Sequence, residues 1–101
     1  MWVVSQRKLK DFWKIHPDAE MPLSVWYQFA KSAEWKSLQD IVADCPSTDQ
    51  VGSCFVFDIG GNKYRLIATL SKGRKKIYIR EILTHKEYDR DKWKKYCQTD
   101  A

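Results

Sequence analysis

Apolar positions recur with period two in the second half of the chain and at helical spacing in the first. Three runs in the second half, Cys54–Ile59, Tyr64–Leu70 and Ile77–Leu83, have strand length and are rich in Ile, Val, Tyr and Phe. Gly60-Gly61-Asn62 separates the first pair, and Ser71–Lys76, with Gly73, separates the second. Gly and Asn accept the positive φ of tight hairpin turns, so the pattern predicts a three-stranded antiparallel meander. Alternation along the middle run puts Lys63, Arg65, Ile67 and Thr69 on one face and Tyr64, Leu66, Ala68 and Leu70 on the other. On the last run the same rule sets Tyr78, Arg80 and Ile82 against Ile77, Ile79 and Leu83. One sheet face is then apolar, while the other carries Arg65 and Arg80 and stays open.

Ahead of the meander, Trp2-Val3-Val4 reads as a short edge strand, and Ser5 as the N-cap of a helix with Leu9, Phe12 and Trp13 on its apolar side. Pro17 ends that helix and leaves His16 facing solvent. Asp18 caps a second helix whose stripe is Leu23, Trp26, Ala30 and Ala33, widened by Val25 and Phe29. A third, short helix spans Ser37–Asp44, with Ser37 and Asp40 spaced as a capping box. Asp49–Gly52 is a connector, and a helical turn carrying Trp93 precedes a frayed end. The expectation is one α+β domain over residues 1–101, its N-terminal strand and helices packed on one face of a mostly antiparallel sheet of three to four strands.

Charge sharpens this picture. Residues 62–97 hold 12 Lys+Arg and 4 Asp+Glu, a net of +8, while the remainder holds 6 and 9, a net of −3. The basic half comprises the meander and the C-terminal segment beyond it, which points to a polyanion partner, most often nucleic acid. The plainer alternative, for Lys72, Arg74, Lys75 and Lys76, is a solvated hairpin tip. No apolar run approaches the ~20 residues of a membrane span, and the charge order of MWVVSQRKLK is wrong for a signal peptide, so a cytoplasmic protein with no membrane partner is expected. Cys45, Cys54 and Cys97 show no CxxC or metal-ligand spacing and read as unpaired thiols. No metal and no cofactor are expected.

The side chains gathered after the meander suit RNA cleavage through the 2′-hydroxyl. That reaction needs a proton acceptor, a proton donor and cations for the charge growing on phosphate. His85 is the side-chain type that serves either proton role near neutrality. Arg65 and Arg80 carry forked donors matched to phosphate oxygens. Tyr88 comes one helical turn after His85 and can donate a proton or stack on a base. Asn62, Lys63 and Lys86 are second-rank phosphate or ribose contacts. The alternative for the arginines is simple pairing with Asp58 and Glu81.

At these residues the chain resembles a known family. FDIGGNKYRLIATL, IYIREILTHKEYD and DKW look like the HigB-type toxins of bacterial toxin–antitoxin pairs, as do KLKDFWKIHPDAE, PLSVWY, EWKSLQDI and VADCPSTD. The resemblance runs from Met1 to about Lys95. It implies a RelE-like fold and a metal-independent mRNA interferase acting in the ribosomal A site. It further implies a HigA-like helix-turn-helix antitoxin as partner, with operator DNA engaged only through that antitoxin. By the same resemblance the weight falls on Asn62, Lys63, Arg65, Arg80, His85, Lys86 and Tyr88. Two other classes remain open here: a ParE-like toxin acting on DNA gyrase, and a non-catalytic RNA- or ribosome-binding module.

Overall fold

A computed structural model describes residues 1–71, 73 and 75–97; Lys72, Arg74 and the last four residues of the expected frayed end lie outside the described residues. The chain runs β1 (Trp2–Val4), α1 (Arg7–Ile15), a 3-10 turn (Pro17–Ala19), α2 (Glu20–Ser32), α3 (Leu38–Asp44), β2 (Asp49–Val51), β3 (Cys54–Ile59), β4 (Tyr64–Leu70), β5 (Lys76–Thr84), α4 (His85–Asp89) and a 3-10 segment (Lys92–Cys97). The sheet has five strands in the order β1-β5-β4-β3-β2. All neighbours are antiparallel except β1 and β5. The predicted meander is present, and Trp2–Val4 takes the predicted place at an edge of the sheet, in an α+β arrangement.

Two strands differ from expectation. Asp49–Val51, read as a connector, pairs with β3 and forms the far edge of the sheet, so the strand count is five. Its sequence, Asp-Gln-Val, is too short and polar to show a period. In β5 a bulge breaks the alternation: Ile67 faces Glu81 and Ala68 faces Ile79, leaving Arg80 without a partner. The extra residue shifts the phase by one. Ile82 therefore joins Ile77 and Ile79 in the main core, and Leu83 turns to the opposite face.

The main core lies between the sheet and the helices. Phe55, Phe57 and Ile59 from β3 and Tyr64, Leu66 and Ala68 from β4 meet Leu9, Leu23, Trp26, Ala30, Trp35 and Ile41. The inward stripe of α2 is as predicted, but Val25 and Phe29 are exposed on its outer side. Capping differs too. Ser5 adopts a positive φ of 69° and α1 starts after Gln6 without a side-chain cap. Asp18 sits in the 3-10 turn and accepts from Lys63 Nζ and the Tyr64 hydroxyl, both at 2.6 Å. His16 is half-buried, stacked on Phe12 at 4.5 Å. Ser37 caps α3 as predicted, while Asp40 turns its carboxylate to the amide of Lys36.

The other sheet face is not open. The 3-10 segment lies across it, and Trp93, 1% exposed, packs with Cys97 onto Cys54, Val56, Ile67 and Leu83. Cys54 and Cys97, expected as free thiols, form a disulfide with Cα atoms 4.9 Å apart; Cys45 is free. The bridge joins residues separated by 43 positions, a proximity that spacing alone does not signal. The segment's end also reaches the β2–β3 turn, where the Ser53 amide donates to the Cys97 carbonyl at 3.1 Å. Gly52 in that turn has φ +58°, and a Cβ there would collide with the Cys97 backbone carbonyl.

Gly52→Ala should therefore cost more than Gly61→Ala, whose φ of +73° is as unfavourable for a side chain but has open space around it. For Gly61→Ala the left-handed conformation alone costs about 1–2 kcal/mol. Urea unfolding of both variants checks the order; equal losses would mean that the 3-10 segment does not rest on the turn.

Candidate active site

Arg65 stands near the start of β4, directly opposite Asp58 on β3 and Leu83 on β5. It is 9% exposed, and a buried guanidinium must have its donors met. Nε faces Asp58 Oδ1 at 3.1 Å, so the pairing with Asp58 weighed from the sequence is made. Nη1 donates to the carbonyls of Asn62 (3.3 Å) and Tyr64 (3.2 Å). Nη2 donates to Asn62 Oδ1 at 2.6 Å and lies 3.5 Å from His85 Nε2. The guanidinium also covers the Tyr88 ring, 5.3 Å from its centroid.

His85 and Tyr88 arrive on α4, which begins where β5 ends. Thr84 and Glu87 close a reciprocal capping box: Thr84 Oγ1 accepts from the Glu87 amide at 3.3 Å, and Glu87 Oε1 accepts from the Thr84 amide at 3.0 Å. The box fixes His85 as the first residue of the helix, at the end of β5. Because guanidinium never accepts a hydrogen bond, its contact with His85 uses the lone pair of Nε2. The ring proton then belongs on Nδ1, which faces Asp89 Oδ2 at 3.8 Å. Tyr88 stacks on Trp93 at 4.9 Å, and Trp93 Nε1 donates to the Tyr88 carbonyl at 2.9 Å. Burial pushes the Tyr88 hydroxyl above its ordinary pKa, with the Arg65 charge pulling the other way. The phenol thus stays protonated near neutrality.

Of the residues singled out in the sequence, the fold gathers Asn62, Arg65, His85 and Tyr88. Lys86 is exposed beside them on α4. Lys63 is turned away to the helix side by its ion pair with Asp18. Arg80 is also apart: its Nε donates to Thr69 Oγ1 at 2.9 Å, four residues along β4 from Arg65, or ~13 Å at the rise of a strand. No ion pair with Glu81 occurs among the described residues. Asp89 and Trp93 were not singled out for the site. The spacing of His85 and Asp89, one helical turn, was available as a signal, whereas the return of Trp93 under Tyr88 was not. Among the described residues no three His, Cys, Asp or Glu side chains are grouped as metal ligands would be.

Comparison with known proteins gives a consistent result. The family model of HigB toxin, described as the RelE-like toxic component of a toxin–antitoxin system, matches residues 19–91. The mRNA interferase toxin HigB of Escherichia coli K12 is 33% identical over 92 residues, covering 88% of each chain. The mRNA interferase HigB of Shigella flexneri matches to the same extent, and that of Escherichia coli O6:H1 is 24% identical over 93 residues, 89% of this chain and 90% of the relative.

The geometry has two measurable consequences. Asp58→Ala leaves the buried guanidinium without its carboxylate, and should lower the stability measured by urea unfolding by about 2 kcal/mol or more, toward the range for broken buried pairs. An effect below about 0.5 kcal/mol would place Arg65 in solvent instead. At the other end of the chain, the hydrogen bonds of Lys63 and then Tyr64 hold the Asp18 carboxyl below its ordinary pKa. Its contribution is complete above the unfolded carboxylate range and is lost as pH falls through the lowered folded value. The urea midpoints of the wild type and Asp18→Asn should therefore differ at pH 7 and converge in acid; a constant gap would contradict the pairing.

Proposed function

The chain belongs to the HigB family of RelE-like toxins, and on that footing we propose that it is the toxin of a toxin–antitoxin pair and acts by cutting messenger RNA. The relatives just named are mRNA interferases, which is the activity proposed here. The observation that carries the reading at residue level is the contact of Arg65 with His85 Nε2, beside a protonated Tyr88 at one end of the sheet.

The chemistry is set by the atoms present. His85 Nε2, once its lone pair turns from Arg65 to the substrate, takes the proton of a ribose 2′-hydroxyl. The 2′-oxygen forms a bond to the adjacent phosphorus, the bond from phosphorus to the 5′-oxygen breaks, and the departing oxygen takes a proton from the Tyr88 hydroxyl. Asp89 faces the Nδ1–H of the resulting imidazolium. Arg65 supplies fixed positive charge beside the phosphate, with Asn62 and Asp58 holding it in place. Lys86 extends the cationic surface toward the strand. Such preorganised charge acts strongly in a partly desolvated site.

The substrate is mRNA in the A site of a translating ribosome, and a HigA-like helix-turn-helix antitoxin encoded nearby holds the toxin inactive and contacts operator DNA on behalf of the pair. This work is done in the cytoplasm; no helix among the described residues is long and apolar enough to cross a membrane.

His85→Ala should retain its circular dichroism spectrum and lose roughly 10²–10⁴-fold in cleavage, the range for a proton-transfer group. The cut ends should be a 2′,3′-cyclic phosphate and a free 5′-hydroxyl, read by primer extension and end-specific ligation. Cleavage within threefold of the wild type, or ends bearing a 5′-phosphate, would remove His85 from the reaction.

A further inference from the structure

Arg80 is the residue that the β5 bulge adds to the ladder, and it is exposed. Bulges re-aim a side chain at the expense of a ladder pair, and they gather beside functional sites. Here the bulge leaves Arg80 bracketed from two sides. Thr69 Oγ1 takes its Nε–H at 2.9 Å, and the ring of Tyr78 lies under the guanidinium with its centroid 5.0 Å from Cζ. These contacts engage Nε and one face of the guanidinium. Among the described residues the Nη edge, the fork that fits two phosphate oxygens, meets no carboxylate and no carbonyl.

This contrasts with Arg65, whose Nε, Nη1 and Nη2 all have partners within the protein. The ~13 Å along β4 between Arg65 and Thr69 is more than one phosphate group spans. The two arginines therefore cannot serve a single phosphate. The 3-10 segment, which packs over Ile67 between Arg65 and Thr69 on β4, carries the exposed Lys95, with Nζ 5.1 Å from the centroid of the exposed Tyr96 ring. Cations alternating with aromatic rings form the surface that single-stranded nucleic acid tracks along.

We propose that the bulged Arg80, braced by Thr69 and Tyr78, binds a second phosphate of the same RNA strand, remote from the bond that is cut. This rests on the ribonuclease reading and adds to it a site whose role is substrate binding. Arg65 and His85 act at the reacting link, and Arg80 fixes how the strand lies beyond it. Loss of Arg80 then weakens binding of the substrate and its transition state alike, which moves KM and leaves kcat.

The test uses the full-length toxin on ribosomes programmed with short synthetic mRNAs, each carrying one neutral methylphosphonate linkage. Arg80→Ala should raise KM about tenfold, the size of a charge-assisted hydrogen bond, with kcat within twofold. Arg80→Lys, which keeps the charge without the fork, should recover part of the loss. In the wild type one linkage away from the cut should raise KM by a similar factor, and in Arg80→Ala that same linkage should have no further effect. A fall in kcat at constant KM, or sensitivity only at the scissile linkage, would put Arg80 at the reacting phosphate and overturn the proposal. Binding of a 2′-O-methyl strand, which cannot be cut, tells this failure from failure of the ribonuclease reading. The salt dependence of its affinity should fall by about one charge in Arg80→Ala. An unchanged slope sinks the second site; a reduced slope with no cleavage by the wild type sinks only the reaction.

Discussion

A guanidinium in the face of a sheet has to be neutralised where it stands, and much of this molecule's second half is arranged around that requirement. Arg65 is 9% exposed, so its charge is largely out of water. Asp58, its direct cross-strand partner, supplies the counter-charge, and the turn at Asn62 curls back to supply carbonyl and amide oxygens. His85 and Tyr88, placed by the start of α4, complete its surroundings. The positive charge is thereby fixed in position before any substrate arrives. Fixed charge needs little reorganisation as negative charge grows on a phosphate, which is the condition for efficient electrostatic stabilisation.

The same face illustrates how a small domain covers apolar surface. Cys54, Val56, Ile67 and Leu83 point away from the helices and would be exposed on an open sheet. The segment Lys92–Cys97 covers them with Trp93 and Cys97, tied down by the disulfide to Cys54 and by the hydrogen bond of Ser53 to Cys97. This second, smaller core sits directly under Tyr88, whose ring rests on Trp93. Burial raises the Tyr88 pKa above its ordinary value, so the packing around this ring weakens the acidity of a site residue.

Family membership and geometry contribute different things to the functional reading. The match over residues 19–91 identifies the chain as a RelE-like toxin of the HigB type. It does not assign roles to side chains. Those come from donors, acceptors and distances: the lone pair at His85 Nε2, the committed donors of Arg65, the fork of Arg80 that meets no acceptor among the described residues, and the diversion of Lys63 to Asp18. Arginines that looked equivalent as members of one sheet face have unlike surroundings, and unlike surroundings give them unlike chemistry.

Local pattern was enough for most elements. The alternation from Cys54 to Leu70, the positive-φ glycines at Gly60 and Gly61, the inward stripe of α2 and the cap at Ser37 act within a few residues of themselves, and they appear as read. The capping box that sets His85 at the helix start was equally legible, since Thr84 and Glu87 have its spacing. Arg65, Asn62, His85 and Tyr88 could be singled out by chemical type, and the sequence by itself determined that they lie near strand ends and a turn. Only the tertiary structure decided that a bulge at Arg80 exchanges the faces of Ile82 and Leu83, that Asp49–Val51 joins the ladder, and that Cys97 returns to Cys54 and covers the face. Each of these depends on what another strand or segment offers, and no periodicity within the strand itself encodes its partner's register or the surface left for another side chain to fill.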